Sequence, residues 1–307
     1  MIDLKLSFPS DYFIEEERCG HPVTTKAKEI WAVELDLYAE FQRVCEKNNI
    51  QYFACGGTML GAVRHGGFIP WDDDMDLMMF RDQYDKLCSI ASTEFKHPYF
   101  FQTEYSDPGS LRQHAQLRNS LTTGILNKEK DKKYRFNQGI FIDIFPIDAV
   151  IDDTEKQNAQ KKEAFRYLTI SKKMANLSVR YIESQNPVKR IVKSFVHFVF
   201  GNYCKSHYQD YFKKYEATIS MYNSSHSSSK YIVTPLVKYN PRWYRLREDF
   251  KEIIYLDFEF LKMPVPKNYD NNLRRLYGDY HQFVKGGSMH GGVFFDTDKS
   301  YIEYIER

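Results

Sequence analysis

Residues 55–81 constrain this chain more than any other stretch. They read Cys-Gly-Gly-Thr-Met-Leu-Gly-Ala-Val-Arg-His-Gly-Gly-Phe-Ile-Pro-Trp-Asp-Asp-Asp-Met-Asp-Leu-Met-Met-Phe-Arg. They are preceded by a short strand-like run, Gln51 to Cys55, and close in another, Asp76 to Phe80. A Gly-Gly-Thr turn between a strand and a helix start lets the backbone approach a phosphate closely, and the helix start offers N–H donors and a positive dipole end. Gly56, Gly57 and Thr58 are therefore candidate donor-phosphate ligands, although the tripeptide alone is a weak signal. Asp72, Asp73, Asp74 and Asp76 then place four carboxylates in five positions. Strand side chains alternate, so Asp74 and Asp76 share a face at the start of an apolar strand, roughly 6.6 Å apart along the chain. Carboxylates so spaced can bracket divalent ions, including a pair ~3.5–4 Å apart. An isolated Asp-x-Asp reads more often as a solvated acidic turn. Four aspartates beside Trp71 and an apolar strand repel one another at a cost that a cation would remove.

A third carboxylate, Asp143, sits in Phe141-Ile-Asp-Ile-Phe-Pro-Ile-Asp148, the most strand-like run in the chain. A carboxylate in so apolar a strand needs a partner, either an Arg or Lys or the cation held by Asp74 and Asp76. In the second case Asp143 can also accept a proton from an attacking hydroxyl. Asp148 reads as a turn or helix-cap residue.

Length sets the surrounding scale. At ~150 residues per domain, 307 residues suggest about two domains. The coarse pattern is an α/β catalytic core over residues 1–150, followed by a helical region with a C-terminal α+β return over 151–307. Helices are expected over 24–48, from Arg81 to about Thr93, after Asp152-Asp153-Thr154 to about Glu183, over 188–220 and from Tyr269 to Tyr277. Short strands are expected near 99–103, 113–118, 121–126 and within Ile253 to Lys262, with a Pro-rich turn at Met263-Pro-Val-Pro266. The 43 basic and 41 acidic residues nearly cancel, which argues against a dedicated nucleic-acid binder. Five cysteines without a Cys-x-x-Cys pair give neither a zinc knuckle nor a disulfide framework. That usage fits a reducing cytoplasm. Residues 1–9 lack the apolar core of a signal peptide, and no run approaches the ~18 apolar residues of a membrane span.

The first motif is similar to the signature of the LicD family of phosphotransferases, which includes bacterial phosphocholine transferases and relatives of fukutin and fukutin-related protein. Phe141 to Asp148 resembles the family's second motif. Phe258-Glu259, Val265-Pro266, Leu273, Tyr277-Gly-Asp-Tyr280 and a trailing His290 resemble its C-terminal motif. The likeness runs from about residue 25 to 290. It implies a core sheet like that of DNA polymerase beta and other nucleotidyltransferases, with Asp74, Asp76 and Asp143 in the acidic positions. The activity it implies is Mg²⁺- or Mn²⁺-dependent transfer, with two ions, of a phospho-alcohol such as phosphocholine, glycerol phosphate or ribitol phosphate. The donor would be CDP-activated and CMP released. The acceptor would be a sugar hydroxyl of a cell-surface polysaccharide or lipid-linked glycan precursor. The cysteine cluster that binds zinc in fukutin-related protein is missing, so no zinc is expected.

Arg64 is a phosphate candidate or a surface salt-bridge residue, and Arg118 a weaker phosphate candidate. Trp71, Asp72, Tyr277 and His290 are pocket candidates, with Trp71 read chiefly as packing. Residues 188–205 are basic at one end, very apolar and too short to span. They read as a helix lying on the inner face of the cell membrane, or as a buried helix of the second half. Three rivals share the acidic pattern: a metal-dependent glycosyltransferase, a nucleotidyltransferase that leaves a whole nucleotide on its acceptor, and an inactive binding module.

Overall fold

A computed structural model describes residues 1–225, 228–235, 238–284 and 292–305. The chain opens with a small hairpin, β1 (Glu16–Arg18) and β2 (His21–Val23), and helix α1 (Thr25–Lys47). Then come β3 (Phe53–Ala54), α2 (Gly56–Arg64), β4 (Asp76–Phe80) and α3 (Arg81–Glu94). Strands β5 (Tyr99–Gln102), β6 (Ala115–Asn119), β7 (Thr123–Leu126) and β8 (Ile140–Val150) follow. A helical hairpin, α4 (Thr154–Leu177) and α5 (Pro187–Ser220), interrupts the sheet. The return comprises β9 (Tyr231–Val233), β10 (Arg245–Leu246), β11 (Ile253–Phe258), β12 (Leu261–Pro266), α6 (Tyr269–Tyr277), β13 (Val293–Asp296) and α7 (Ile302–Ile305). The architecture is mixed α/β.

Strand β8 organises the main sheet, in which β10, β9, β8, β4 and β3 lie side by side and β5 and β6 join along β8's other flank. It pairs in parallel with β4, placing Asp76 opposite Asp143, and antiparallel with β6, placing Gln116 opposite Asp143. Helix α1 covers this sheet because its apolar residues recur at three- and four-residue spacing. Trp31, Leu35, Tyr38, Phe41, Val44 and Cys45 are all buried, each large side chain contributing about 1.5–3 kcal/mol by leaving water. Thr24 caps the helix, its hydroxyl accepting from Ala27 N at 3.2 Å. Trp31 stacks on Phe68 with centroids 4.8 Å apart, and Phe68 meets Phe258 edge-on at 4.9 Å. One aromatic seam thus joins α1, the first motif and β11.

The helical hairpin has its own core, including Leu168, Ala175, Tyr208, Phe212 and Ile219. Helix α4 ends at Leu177, short of the expected 183. In α5, residues 187–200 contain no buried position, and the first buried one is Gly201. The reading of 188–205 as a buried helix is therefore overturned for most of that segment.

Two further expectations are corrected. Met263 to Pro266 is strand, paired with β11 from Ile253 opposite Pro266 to Leu256 opposite Met263. Proline fits because β12 has a partner on one side only, so a missing N–H can face away from the ladder. Asp148 is neither turn nor cap. It lies inside β8 with a fully buried side chain, where Arg81 Nε and Nη2 donate to its two oxygens at 2.9 and 2.8 Å.

Candidate active site

The acidic stretch is held from several sides. Helix α2 begins directly after β3, and Cys55 N donates to Asp76 O at 2.9 Å. Thr58 Oγ1 accepts from Asp76 N at 2.8 Å, so the first turn of α2 fixes the point where β4 starts. Trp31 Nε1 donates to the carbonyl of Asp72 at 3.0 Å. Gly57 has no room for a side chain, since a Cβ there would lie 2.8 Å from Asp72 Oδ2. Asp72 therefore rests against the N-terminal turn of α2, where the helix dipole favours negative charge.

The Gly66–Gly67 turn that carries the chain from α2 to the aspartates is closed from far away. A Cβ on Gly67 would lie 2.2 Å from Glu259 Oε1. Glu259 N donates to Gly66 O at 2.7 Å, and its carboxylate accepts from Phe68 N at 3.2 Å. Arg18 clamps the same carboxylate with Nη1 and Nη2 at 2.6 and 3.0 Å. The β1–β2 hairpin and the end of β11 thus position the first motif together.

Register puts Gln116, Asp143 and Asp76 in one row across β6, β8 and β4, and partners in a row project from the same face. Gln116 Nε2 donates to Asp143 Oδ1 at 2.5 Å, and His114 Nε2 stands 3.3 Å from that oxygen. Arg118 is 1% exposed and engaged throughout. Its Nε donates to Gln102 Oε1 at 2.6 Å, its Nη1 to Gly139 O at 2.7 Å, and its Nη2 to Gln116 Oε1. The guanidinium consequently orients Gln116 so that its N–H₂ faces Asp143, and sits over the Phe141 ring at 4.6 Å.

The carboxylates differ electrostatically. Burial, then the charges of Asp74, Asp143 and Asp72, push the Asp76 carboxyl well above its usual range, opposed by Arg245. Asp72 is pushed up to about 8 by burial and by Asp74 and Asp73. Burial also acts to raise Asp143, but His114, Gln116 and Arg118 outweigh it and hold Asp143 below the ordinary carboxylate range. A sixth carboxylate lies among these. Glu34 of α1 is 1% exposed with a buried, unpartnered Oε2, and burial followed by Asp74, Asp73, Asp72 and Asp76 raises it far above its usual range.

Crowded oxygen donors of this kind fit a hard divalent cation in chemistry and charge. Among the described residues, no three His, Cys, Asp or Glu side chains already converge as a metal cage. Asp74 precedes β4 instead of lying in it, because the ladder begins at Asp76.

The other sequence candidates fall in several places. A Cβ on Gly56 would lie 3.6 Å from Asp76 Oδ2 and 3.7 Å from the Tyr277 hydroxyl, which brings Tyr277 to the acidic row. Arg64 Nη1 donates to the carbonyls of Tyr280 and Gln282 at 2.8 and 3.2 Å, and the guanidinium lies 5.0 Å from the Phe283 ring. It docks the segment after α6. Trp71 packs edge-on against His21 and His65 at 5.9 and 6.3 Å. His290 lies outside the described residues.

Glu34, His114, Gln116 and Arg245 join the site without having been singled out. Glu34 had a signal, for it lies three after Trp31 and four before Tyr38 on the apolar stripe of α1. His114, Gln116 and Arg118 alternate through a short strand, a polar row that strand periodicity makes visible. Arg245 is 3% exposed, and its Nη2 approaches Cys55 Sγ at 3.6 Å. Only the pairing of β10 with β9 brings it there.

Comparison with known proteins shows what the chain is similar to. Residues 49–176 match the family model described as LicD/FKTN/FKRP, nucleotidyltransferase domain. The lipopolysaccharide cholinephosphotransferase LicD of Haemophilus influenzae is 29% identical over 258 residues, covering 80% of this chain and 88% of that protein. An uncharacterized protein of Rickettsia typhi is 48% identical over 96 residues, 31% of this chain and 29% of its own length. The human ribitol 5-phosphate transferase FKRP is 37% identical over 51 residues, 17% of this chain and 10% of its own. The matched segment contains the Gly-Gly-Thr turn, the aspartate cluster and Asp143, and with it the chain carries a LicD-family domain.

Proposed function

We propose that this LicD-type phosphotransferase moves a phospho-alcohol from a CDP-activated donor to a sugar hydroxyl of a glycan acceptor, with release of CMP. The observation that carries the reading is the row Gln116–Asp143–Asp76 at the foot of α2, beside Asp72 and Asp74. The similarity to a cholinephosphotransferase over 80% of this chain supports phosphocholine as the first cargo to test. In this reading the β3–α2–β4–β8 arrangement is the nucleotidyltransferase-like core, and the return after the helical hairpin contributes Tyr277 and Arg245.

The work of each residue follows from charge. Asp74, Asp76 and Asp143 would hold a divalent cation, Mg²⁺ or Mn²⁺, which would supply the positive charge that phosphoryl transfer needs. The first turn of α2, with Gly56, Gly57 and Thr58, presents backbone N–H groups to a phosphate. Asp143 is kept ionised by Gln116 and His114, so it can receive the acceptor proton. Its low proton affinity is tolerable, because a loose phosphoryl-transfer transition state asks little of a base and much of positioning. Arg118 acts at one remove by fixing Gln116.

A panel of CDP-alcohols with Mg²⁺, scored by CMP release against soluble glycan acceptors, tests the reading. Asp74→Asn is expected to lower turnover by about a hundredfold or more, the scale of losing one electrostatic stabiliser. Near-wild-type CMP release by that variant would overturn the metal assignment. Release of a nucleoside diphosphate or of pyrophosphate would instead mark a glycosyltransferase or a nucleotidyltransferase.

A further inference from the structure

Helix α5 is 34 residues long and its partner α4 is 24. The two run side by side through Gln160 to Thr218, Ser171 to Tyr208 and Leu177 to His197, where side-chain donors or ring nitrogens meet backbone carbonyls. Beyond Leu177, no helix among the described residues lies beside the first turns of α5. At 1.5 Å per residue the ten-residue excess is an overhang of about 15 Å. Contact with the rest of the chain there is slight: Tyr181 reaches Ser194 Oγ at 3.1 Å and stacks on His197 at 4.1 Å.

The overhang is apolar on the side turned away from α4. Val188, Ile191, Val192, Phe195, Phe198 and Val199 recur at helical spacing and are exposed, Ile191 by 71%, Phe195 by 66% and Phe198 by 85%. Soluble surfaces carry single exposed apolar residues, not a continuous stripe of this kind. The stripe's charge setting is one-sided. Lys189, Arg190, Lys193 and Lys205 fall within residues 184–209, and no Asp or Glu does. The stretch therefore carries four cations with no carboxylate to offset them, in a chain whose whole balance is only +2. No helix among the described residues is long and apolar enough to cross a bilayer.

We propose that the overhanging half of α5 lies in the headgroup region of an anionic membrane, with its Val/Ile/Phe stripe toward the acyl chains and its basic residues among the lipid phosphates. Apolar burial and attraction to anionic lipid add for a helix of this composition, and each Lys or Arg near such a surface strengthens the attachment severalfold. This inference goes beyond the proposed reaction and does not depend on it.

Flotation of the full chain with phosphatidylglycerol vesicles, against phosphatidylcholine vesicles, tests it. The chain is expected to float with the anionic vesicles. Phe195→Asp with Phe198→Asp is expected to abolish flotation, and Lys189→Glu with Lys193→Glu to weaken it about tenfold or more. All three proteins should keep the same melting temperature and the same CMP release with a soluble acceptor, because none of these residues packs in a core or belongs to the site. Absence of flotation, or flotation unchanged by the Phe variants, would overturn the proposal. So would a wild-type dimer that the Phe variants dissolve without vesicles, since a second copy would then be the occupant.

Discussion

Gly67 carries more of the site's geometry than its size suggests. With a Cβ placed 2.2 Å from Glu259 Oε1, Gly67→Ala must push Glu259 off Arg18 and off Phe68 N. The expected cost is about 1–3 kcal/mol, the range for an overpacked buried contact, read as a lowered melting temperature. If the variant melts with wild type, Glu259 is not the clasp of that turn. At this scale the sequence was uneven. Asp74, Asp76, Asp143, Thr58 and Tyr277 were legible because each sat in a chemically loaded motif, and the fold gathers them at one end of the sheet. Arg118 reads in the sequence as a weaker phosphate candidate. A charge does not report its partners, and here they are Gln102, Gly139 and Gln116. Glu34 and His114 were passed over because one polar residue in an apolar run gives no hint of what lies across the fold from it.

Among the elements, β8 does two jobs, and they can be separated experimentally. Its N-terminal half bears Asp143. Its C-terminal half bears Asp148, which with Arg81 ties β8 to the start of α3. Burial acts to raise the Asp148 carboxyl, but Arg81, Lys238 and Asn223 outweigh it and hold it below the ordinary range. A carboxyl depressed in the folded state contributes stability above its unfolded value of about 3.9, and that contribution is lost as pH falls through the folded value. Asp148→Asn is therefore expected to cost about 3–5 kcal/mol near neutrality, the scale of a broken buried pair. Its deficit against wild type should shrink as pH falls below about 4 in denaturant melts. A pH-independent deficit would show that the loss is one of packing. The element pattern explains which boundaries were readable. Helices α1 and α6 match expectation closely because their periodicity and caps are local. Strand β12 was read as a turn because Pro264 and Pro266 weigh against a strand until β11 is known to be its single partner. The shortness of α4 was not visible because residues 178–183 carry no breaker before Pro187.

The molecule as a whole has a sheet core and a hairpin core, joined by apolar contacts such as those of Leu111 and by hydrogen bonds centred on Glu104. Tyr208 Oη donates to Glu104 Oε1 at 2.7 Å and Gln209 Nε2 to Glu104 O at 2.8 Å. Glu104 in turn accepts from Gly109 N at 2.7 Å. Tyr208→Phe removes one hydrogen bond to a buried carboxylate, about 1.5–3 kcal/mol. Hydrogen exchange is expected to rise in α4 and α5 ahead of β4 and β8. Equal protection of both regions would mean that they open as one unit. The long-range clasp of the site has a temporal consequence. Phe68 and Glu259 are 191 positions apart. At ~5–20 residues per second, roughly 10–40 s of synthesis separate the appearance of the aspartates from that of the residue that closes their turn. Until Glu259 emerges, the Gly66–Gly67 turn keeps only its local hydrogen bonds, such as Gly67 N to Gly61 O at 3.4 Å, and lacks its long-range clasp. A nascent chain therefore lacks the assembled site until Glu259 itself has been made, 191 positions after the Phe68 amide that it holds.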